Sequence, residues 1–222
     1  MNDAIKSQTP VVMLDLDGVI LLPRFRADIE HRALLRGEHP TGDHEFPWLK
    51  HGAPADLERV TVPGLNGNPV YGVIRRSVVT ALTAMTLEGD VQFVWNTTWL
   101  IAPDRLAHVA SRIGLSGVEI PELGNIVPFN QALLYNNDAH WKTALTRHHA
   151  EHARVLWIDD QLQPAANPAT NRISVIAPNT LFGLVPAHVD LIGGWGQGEN
   201  IAVFANQENL GWESPGAKSR GA

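Results

Sequence analysis

The run Val11-Val12-Met13-Leu14 does not alternate apolar with polar residues, and it stops at Asp15-Leu16-Asp17-Gly18. A strand with one wet face alternates, so an unbroken apolar run reads as a strand covered on both sides. Gly18 permits a sharp turn directly after it. The same grammar recurs twice. Residues 91–95 form a second buried run that ends in Asn96-Thr97-Thr98-Trp99, and residues 155–158 form another that ends in Asp159-Asp160. Between and after these runs lie stretches of helical periodicity. Val78, Val79, Leu82 and Met85 share one face from Ser77 onward. Leu106, Val109, Ala110 and Ile113 do so over 103–113, with Gly114 as C-cap. A third helix, opened by Asn137 or Asp138, carries Trp141, Lys142 and Leu145 through His149, and a helical turn spans 186–192. Short apolar runs at 118–120 and 172–176 complete the set. Strands alternating with helices predict a three-layer α/β domain around a central parallel sheet.

The 222 residues divide into one catalytic-sized domain over 1–205 and a polar, glycine-containing tail over 206–222. The periodicity breaks down after the first strand, and an insertion is expected over about 21–76. Within it, strands at 59–62 and 70–74 are expected to form a hairpin around Gly64-Leu65-Asn66-Gly67-Asn68. This stretch reads as a small flap over the end of the first strand. The absence of cysteine excludes disulfides, thiolate metal sites and a cysteine nucleophile. No signal-peptide pattern opens the chain, and the apolar stretch 11–23 is interrupted by Asp15 and Asp17 and too short for a bilayer. The expectation is a cytoplasmic protein with no membrane partner. A net charge of −6 does not advertise a grip on nucleic-acid backbone, although Arg24, Arg26, Arg75 and Arg76 could form a local basic patch or simply a solvated surface. His148, His149 and His152 have near-helical spacing, but no acidic residue stands at a recognised ligand spacing from them. His31, His39, His44 and His51 fall in the insertion, where substrate contact is conceivable.

In an open parallel sheet, ligands bind at the carboxyl ends of the strands. Three strands here end in Asp15 and Asp17, Thr97 and Thr98, and Asp159 and Asp160. Converging carboxylates repel one another unless something positive sits among them, and an all-oxygen set favours Mg²⁺ over zinc. One carboxylate of the Asp15/Asp17 pair can attack phosphorus while the other moves a proton. A threonine hydroxyl can hydrogen-bond a phosphoryl oxygen, and a lysine can neutralise charge on the equatorial oxygens. Lys142 is the candidate because no other lysine lies between Lys50 and Lys218. Arg147 is the fallback. Trp99, just beyond the second strand, is read either as core or as a ring that stacks on substrate.

An apolar strand followed by Asp15-x-Asp17-Gly18-Val19 resembles the first motif of the haloacid dehalogenase-like superfamily. Thr97 resembles its second motif, Lys142 its third, and Trp157-Ile158-Asp159-Asp160 its fourth. The four stand in the expected order and cover roughly residues 11–176. The resemblance implies a Rossmann-like fold and an Mg²⁺-dependent phosphohydrolase. Asp15 would be the nucleophile and Asp17 the general acid and base. Thr97, or Thr98 beside it, would hold the phosphoryl group with Lys142. The metal would be held by Asp15, the backbone carbonyl of Asp17, and Asp159 or Asp160. Dehalogenating members generally lack the second aspartate, so Asp17 favours phosphoryl chemistry. Trp95-Asn96-Thr97-Thr98-Trp99, Trp157-Ile158-Asp159-Asp160 and Leu181-Phe182-Gly183-Leu184 are further similar to a bacterial branch associated with RNA-repair proteins. That narrower likeness implies a polynucleotide 3′- or 5′-phosphate as substrate, against a small phosphorylated molecule. Two rivals keep the fold and change the chemistry: a catalytically silent binding or regulatory protein, and a phosphotransferase.

Overall fold

The computed structural model describes residues 9–23, 56–125, 138–161, 172–179, 182–201 and 204–205. The chain is an α/β protein. Its main sheet is built from β1 (Val11–Leu14), β5 (Gln92–Trp95), β6 (Val155–Ile158), β7 (Ile173–Ala177) and a two-residue edge strand, β8 (Phe204–Ala205). All are parallel, in the order β5-β1-β6-β7-β8. Every residue of β1 and of β6 is buried, as expected for strands covered on both faces. The run expected at 118–120 forms no full strand. Glu119 alone bridges Val94 in parallel, through Trp95 N–H to its carbonyl and its own N–H to Phe93.

A second sheet of order β2-β4-β3 joins β2 (Leu22–Pro23), β3 (Leu57–Pro63) and β4 (Pro69–Arg75). The hairpin expected around Gly64–Asn68 is present as the antiparallel β3/β4 pair, running from Leu57↔Arg75 to Pro63↔Pro69. Its turn closes with Gly64 N–H on the Asn68 carbonyl, and Arg105 donates from its guanidinium to the carbonyls of Gly64 and Leu65, which pins the turn to the next helix. The rest of the expected insertion lies at 24–55, outside the described residues, with His31, His39, His44, His51, Arg24 and Arg26. The tail at 206–222 lies outside them too.

Among the described residues four helices flank the sheet: α1 (Arg76–Glu88), α2 (Pro103–Ile113), α3 (Asp138–Ala150) and α4 (Pro186–Gly196). Asp56 closes the start of α1 by accepting from Ser77 N–H at 2.8 Å and from its hydroxyl at 2.7 Å. In α2 the expected stripe of Leu106, Val109, Ala110 and Ile113 is buried, Pro103 occupies the first turn, and Gly114 caps the end in the left-handed conformation. α1 packs against α4, and α2 packs against β3. Among the described residues no helix is long and apolar enough to cross a membrane.

Candidate active site

The strand register decides which side chains meet. Leu14 lies level with Trp95 on one side and with Ile158 on the other, and Ile158 lies level with Ile176. The next residues continue the ladder: Asp15 N–H donates to the Ile158 carbonyl (3.0 Å), Asn96 N–H to that of Leu14 (2.9 Å) and Asp159 N–H to that of Ile176 (3.2 Å). Adjacent strands lie about 4.8 Å apart, so Asp15 and Asp159 emerge side by side at the same height. The topology marks the same spot. From β1 the chain first builds outward through β5 and Glu119, then returns to the opposite side with β6, β7 and β8. The connections diverge at the β1/β6 boundary, where open α/β sheets form their ligand crevice.

Asp15, Asp159 and Asp160 each place one carboxylate oxygen within 4.8 Å of the others'. The Lys142 ammonium lies between the first two, 3.0 Å from Asp15 Oδ2 and 2.7 Å from Asp159 Oδ2. Asp15 Oδ1 accepts Leu16 N–H at 2.8 Å, and Asp159 Oδ1 accepts Gln161 N–H at 2.9 Å. Asp15, Asp159 and Lys142 are 2%, 2% and 5% exposed. At that depth each charge needs its partners. Burial opposes the Lys142 charge, but the Asp15 and Asp159 carboxylates outweigh it and raise its pKa well above the usual lysine range. Asp15 is pushed up to about 8, by burial first and then by the charges of Asp159, Asp160 and Asp17, against the lowering influence of Lys142. Among the described residues Lys142 is the one ammonium paired with Asp15 and Asp159, and its charge alone does not bring Asp15 back to the usual carboxylate range. The all-oxygen donor set fits a hard divalent cation, which would supply the remainder.

Lys142 is aimed inward by the phase of α3. Trp141, Lys142, Leu145 and Thr146 are buried, whereas Arg147, the fallback from sequence, faces solvent. Two residues that the sequence reading passed over hold this helix to β5. Thr146 Oγ1 donates to the Lys142 carbonyl at 2.8 Å and accepts from Asn96 Nδ2 at 3.1 Å. A polar residue directly after a buried strand and a threonine one turn beyond the lysine were the available signals. Both fall on buried faces, where a polar side chain needs such a partner.

Thr97 follows Asn96 in extended conformation, and Thr98 opens a 3₁₀ turn, Thr98–Ile101. The Thr97 hydroxyl is fully buried and has no hydrogen-bond partner. Thr98 is only half-buried. Gly18 adopts φ 76° in the loop after β1, which closes through Leu21 N–H and Ile20 N–H on the Leu16 carbonyl. Gly183 backs that loop. At φ 56°, a Cβ there would lie 2.4 Å from the Val19 carbonyl oxygen, and the following Leu184 N–H donates to that same oxygen. Leu181, the first residue of that short motif, lies outside the described residues.

Of the two readings of Trp99 the core one holds, and Asp17 is its partner. Trp99 is 3% exposed, so its ring offers no open face for stacking on a substrate. Its indole N–H donates instead to Asp17 Oδ2 at 2.9 Å. The Asp17 carboxylate is correspondingly not among those that converge with Asp15. The His148 ring meets those of His149 and His152 edge-on at 5.8 and 6.2 Å, and none of the three joins the converging carboxylates. Among the described residues, Asp15, Asp159 and Asp160 form the one group of three carboxylate or imidazole ligands close enough to hold a metal ion. No family model matches the chain, and neither does any curated protein or any solved structure.

Proposed function

We propose that this chain is a phosphate monoester hydrolase of the haloacid dehalogenase-like type, working through an aspartyl-phosphate on Asp15. The observation that carries the reading is the convergence of Asp15, Asp159 and Asp160 at the β1/β6 boundary, with Lys142 paired to the first two. A purely structural ion pair needs one carboxylate per ammonium. A second buried carboxylate on the same ammonium costs stability, and a site that receives a cation and a phosphoryl group gives it a use.

In the first step an Asp15 oxygen attacks phosphorus in line, and the bond to the leaving oxygen breaks as that oxygen takes a proton from Asp17. In the second, Asp17 takes a proton from water as the water attacks the aspartyl-phosphate, which releases inorganic phosphate and restores the Asp15 carboxylate. The Thr97 hydroxyl donates to a phosphoryl oxygen, and Lys142 offsets the charge spread over those oxygens. A divalent cation held by Asp15, Asp159 and Asp160, with Mg²⁺ the fitting choice, would keep Asp15 ionised near neutral pH and neutralise substrate charge. The β3/β4 hairpin is the flap of this reading.

The test is phosphate release in the presence of Mg²⁺ from a panel of aryl phosphate, nucleotides, sugar phosphates and 3′- or 5′-phosphorylated oligonucleotides. Release that vanishes in Asp15→Asn is expected. Preference for the oligonucleotides would place the substrate among nucleic-acid ends, and transfer to added alcohols or nucleosides would make the protein a phosphotransferase. A panel with no Asp15-dependent release would reduce the chain to a binding protein on this fold.

A further inference from the structure

Asp17 is the residue the proposed reaction uses twice, once as acid and once as base, and both uses depend on where its carboxylate points. It sits half-buried on the loop after β1, where the direction of its carboxylate is set by what its oxygens accept. Trp99 reaches it from a different strand end, with indole Nε1 2.9 Å from Asp17 Oδ2 across 82 positions of sequence. The ring is packed in the core beside Leu100 on the 3₁₀ turn after β5, so the donor's position is fixed by packing rather than by a mobile side chain. An indole N–H can only donate, and it therefore holds a carboxylate oxygen in one place without competing for the proton that Asp17 must pass. A buried indole N–H gains from any acceptor, and the one it finds here is the carboxylate the proposed reaction uses. Trp141 and Trp157 show the contrast: both are buried with indole nitrogens that have no partner.

We propose that Trp99 is a positioning residue for Asp17, holding the rotamer in which the carboxylate reaches the leaving oxygen and later the water. The assignment rests on the phosphohydrolase reading above. It predicts a dependence on the leaving group that a general loss of packing would not produce. An alkyl phosphate needs its leaving oxygen protonated as the bond breaks, whereas a nitrophenyl phosphate departs as a stable anion. In Trp99→Phe, which keeps a ring and removes the N–H, kcat/KM for an alkyl phosphate should fall about ten- to a hundredfold. The value for nitrophenyl phosphate should change by less than about threefold, because proton transfer contributes little to its departure. KM should move little for either ester.

A second measurement needs no turnover. The Trp99 indole N–H resonance, identified by its disappearance in Trp99→Phe, should shift upfield in Asp17→Ala. An unmoved resonance would show that the contact is not made in solution and would overturn the assignment. Equal losses on both esters would make Trp99 a packing residue and overturn it as well. A wild-type protein that turns over neither ester, while the resonance moves as expected, would instead sink the phosphohydrolase reading and leave the contact without a catalytic purpose.

Discussion

Thr97 shows how one side chain can separate folding from function. Its hydroxyl is fully buried and unpartnered, so it contributes a desolvation cost of about 1–3 kcal/mol that the fold does not recover. Replacement by valine keeps the shape and removes that cost. We predict that Thr97→Val leaves stability unchanged or raises it by up to about 1 kcal/mol in urea unfolding. Phosphatase kcat/KM should drop about a hundredfold, the scale for removing one donor to a charged transition state. Loss of stability together with activity would mean that the hydroxyl has a partner in the fold and no role toward phosphate. At this scale much of the site was legible. Asp15, Thr97 and Asp159 follow runs whose lack of alternation announces buried strand ends. The Lys142 and Arg147 alternatives were separable only by helical phase: Trp141 and Leu145 lie four apart on the buried face with Lys142 beside them, and Arg147 falls outside it. Of the two readings of Trp99 the core position is the one found, but sequence shows a large aromatic ring and not the direction of its N–H.

At the scale of elements, the strands and helices followed from period and punctuation, while their register did not. Nothing in Val11–Leu14 states that Leu14 will stand level with both Trp95 and Ile158, and that alignment is what sets Asp15 beside Asp159. The two-residue strands Leu22–Pro23 and Phe204–Ala205 are shorter than any periodic signal, and the run at 118–120 contributes one bridging residue. The start of α4 holds a feature that composition could not reveal. His188 is 7% exposed, and its Nδ1 accepts the Val185 N–H at 3.1 Å, which requires that nitrogen to be unprotonated. Burial pushes its pKa down to about 4. A depressed folded-state pKa means that the unfolded chain takes up the proton first. The contribution to stability is therefore complete above the unfolded value near 6.5 and is lost as pH falls toward 4, at about 1.4 kcal/mol per pH unit. Between pH 7 and pH 5 the wild type should lose about 2 kcal/mol more than His188→Gln does, measured by urea unfolding. Parallel losses in the two proteins would remove His188 from the acid sensitivity of the fold.

For the whole molecule, the charge balance makes cation binding the most general readout of the site. The chain carries a net charge of −6, so any salt that screens self-repulsion will stabilise it somewhat. A specific cation among Asp15, Asp159 and Asp160 acts differently, because it binds the folded state at a place where three carboxylates converge and Lys142 pairs with two of them. At a concentration a hundred times its Kd, such a ligand stabilises by about 2.7 kcal/mol, which in a chain of this size raises Tm by about 5–10 °C. KCl at the same ionic strength reproduces the screening and not the binding. The expected result is a rise with MgCl₂ well beyond that with KCl, abolished in Asp159→Asn and in Asp15→Asn. A rise of equal size with both salts would reduce the effect to screening. A rise with Mg²⁺ that survives both substitutions would place the cation elsewhere on the surface. In either case the three carboxylates would need a reason for their convergence other than a metal ion, and the charge argument for the phosphohydrolase reading would fall with it.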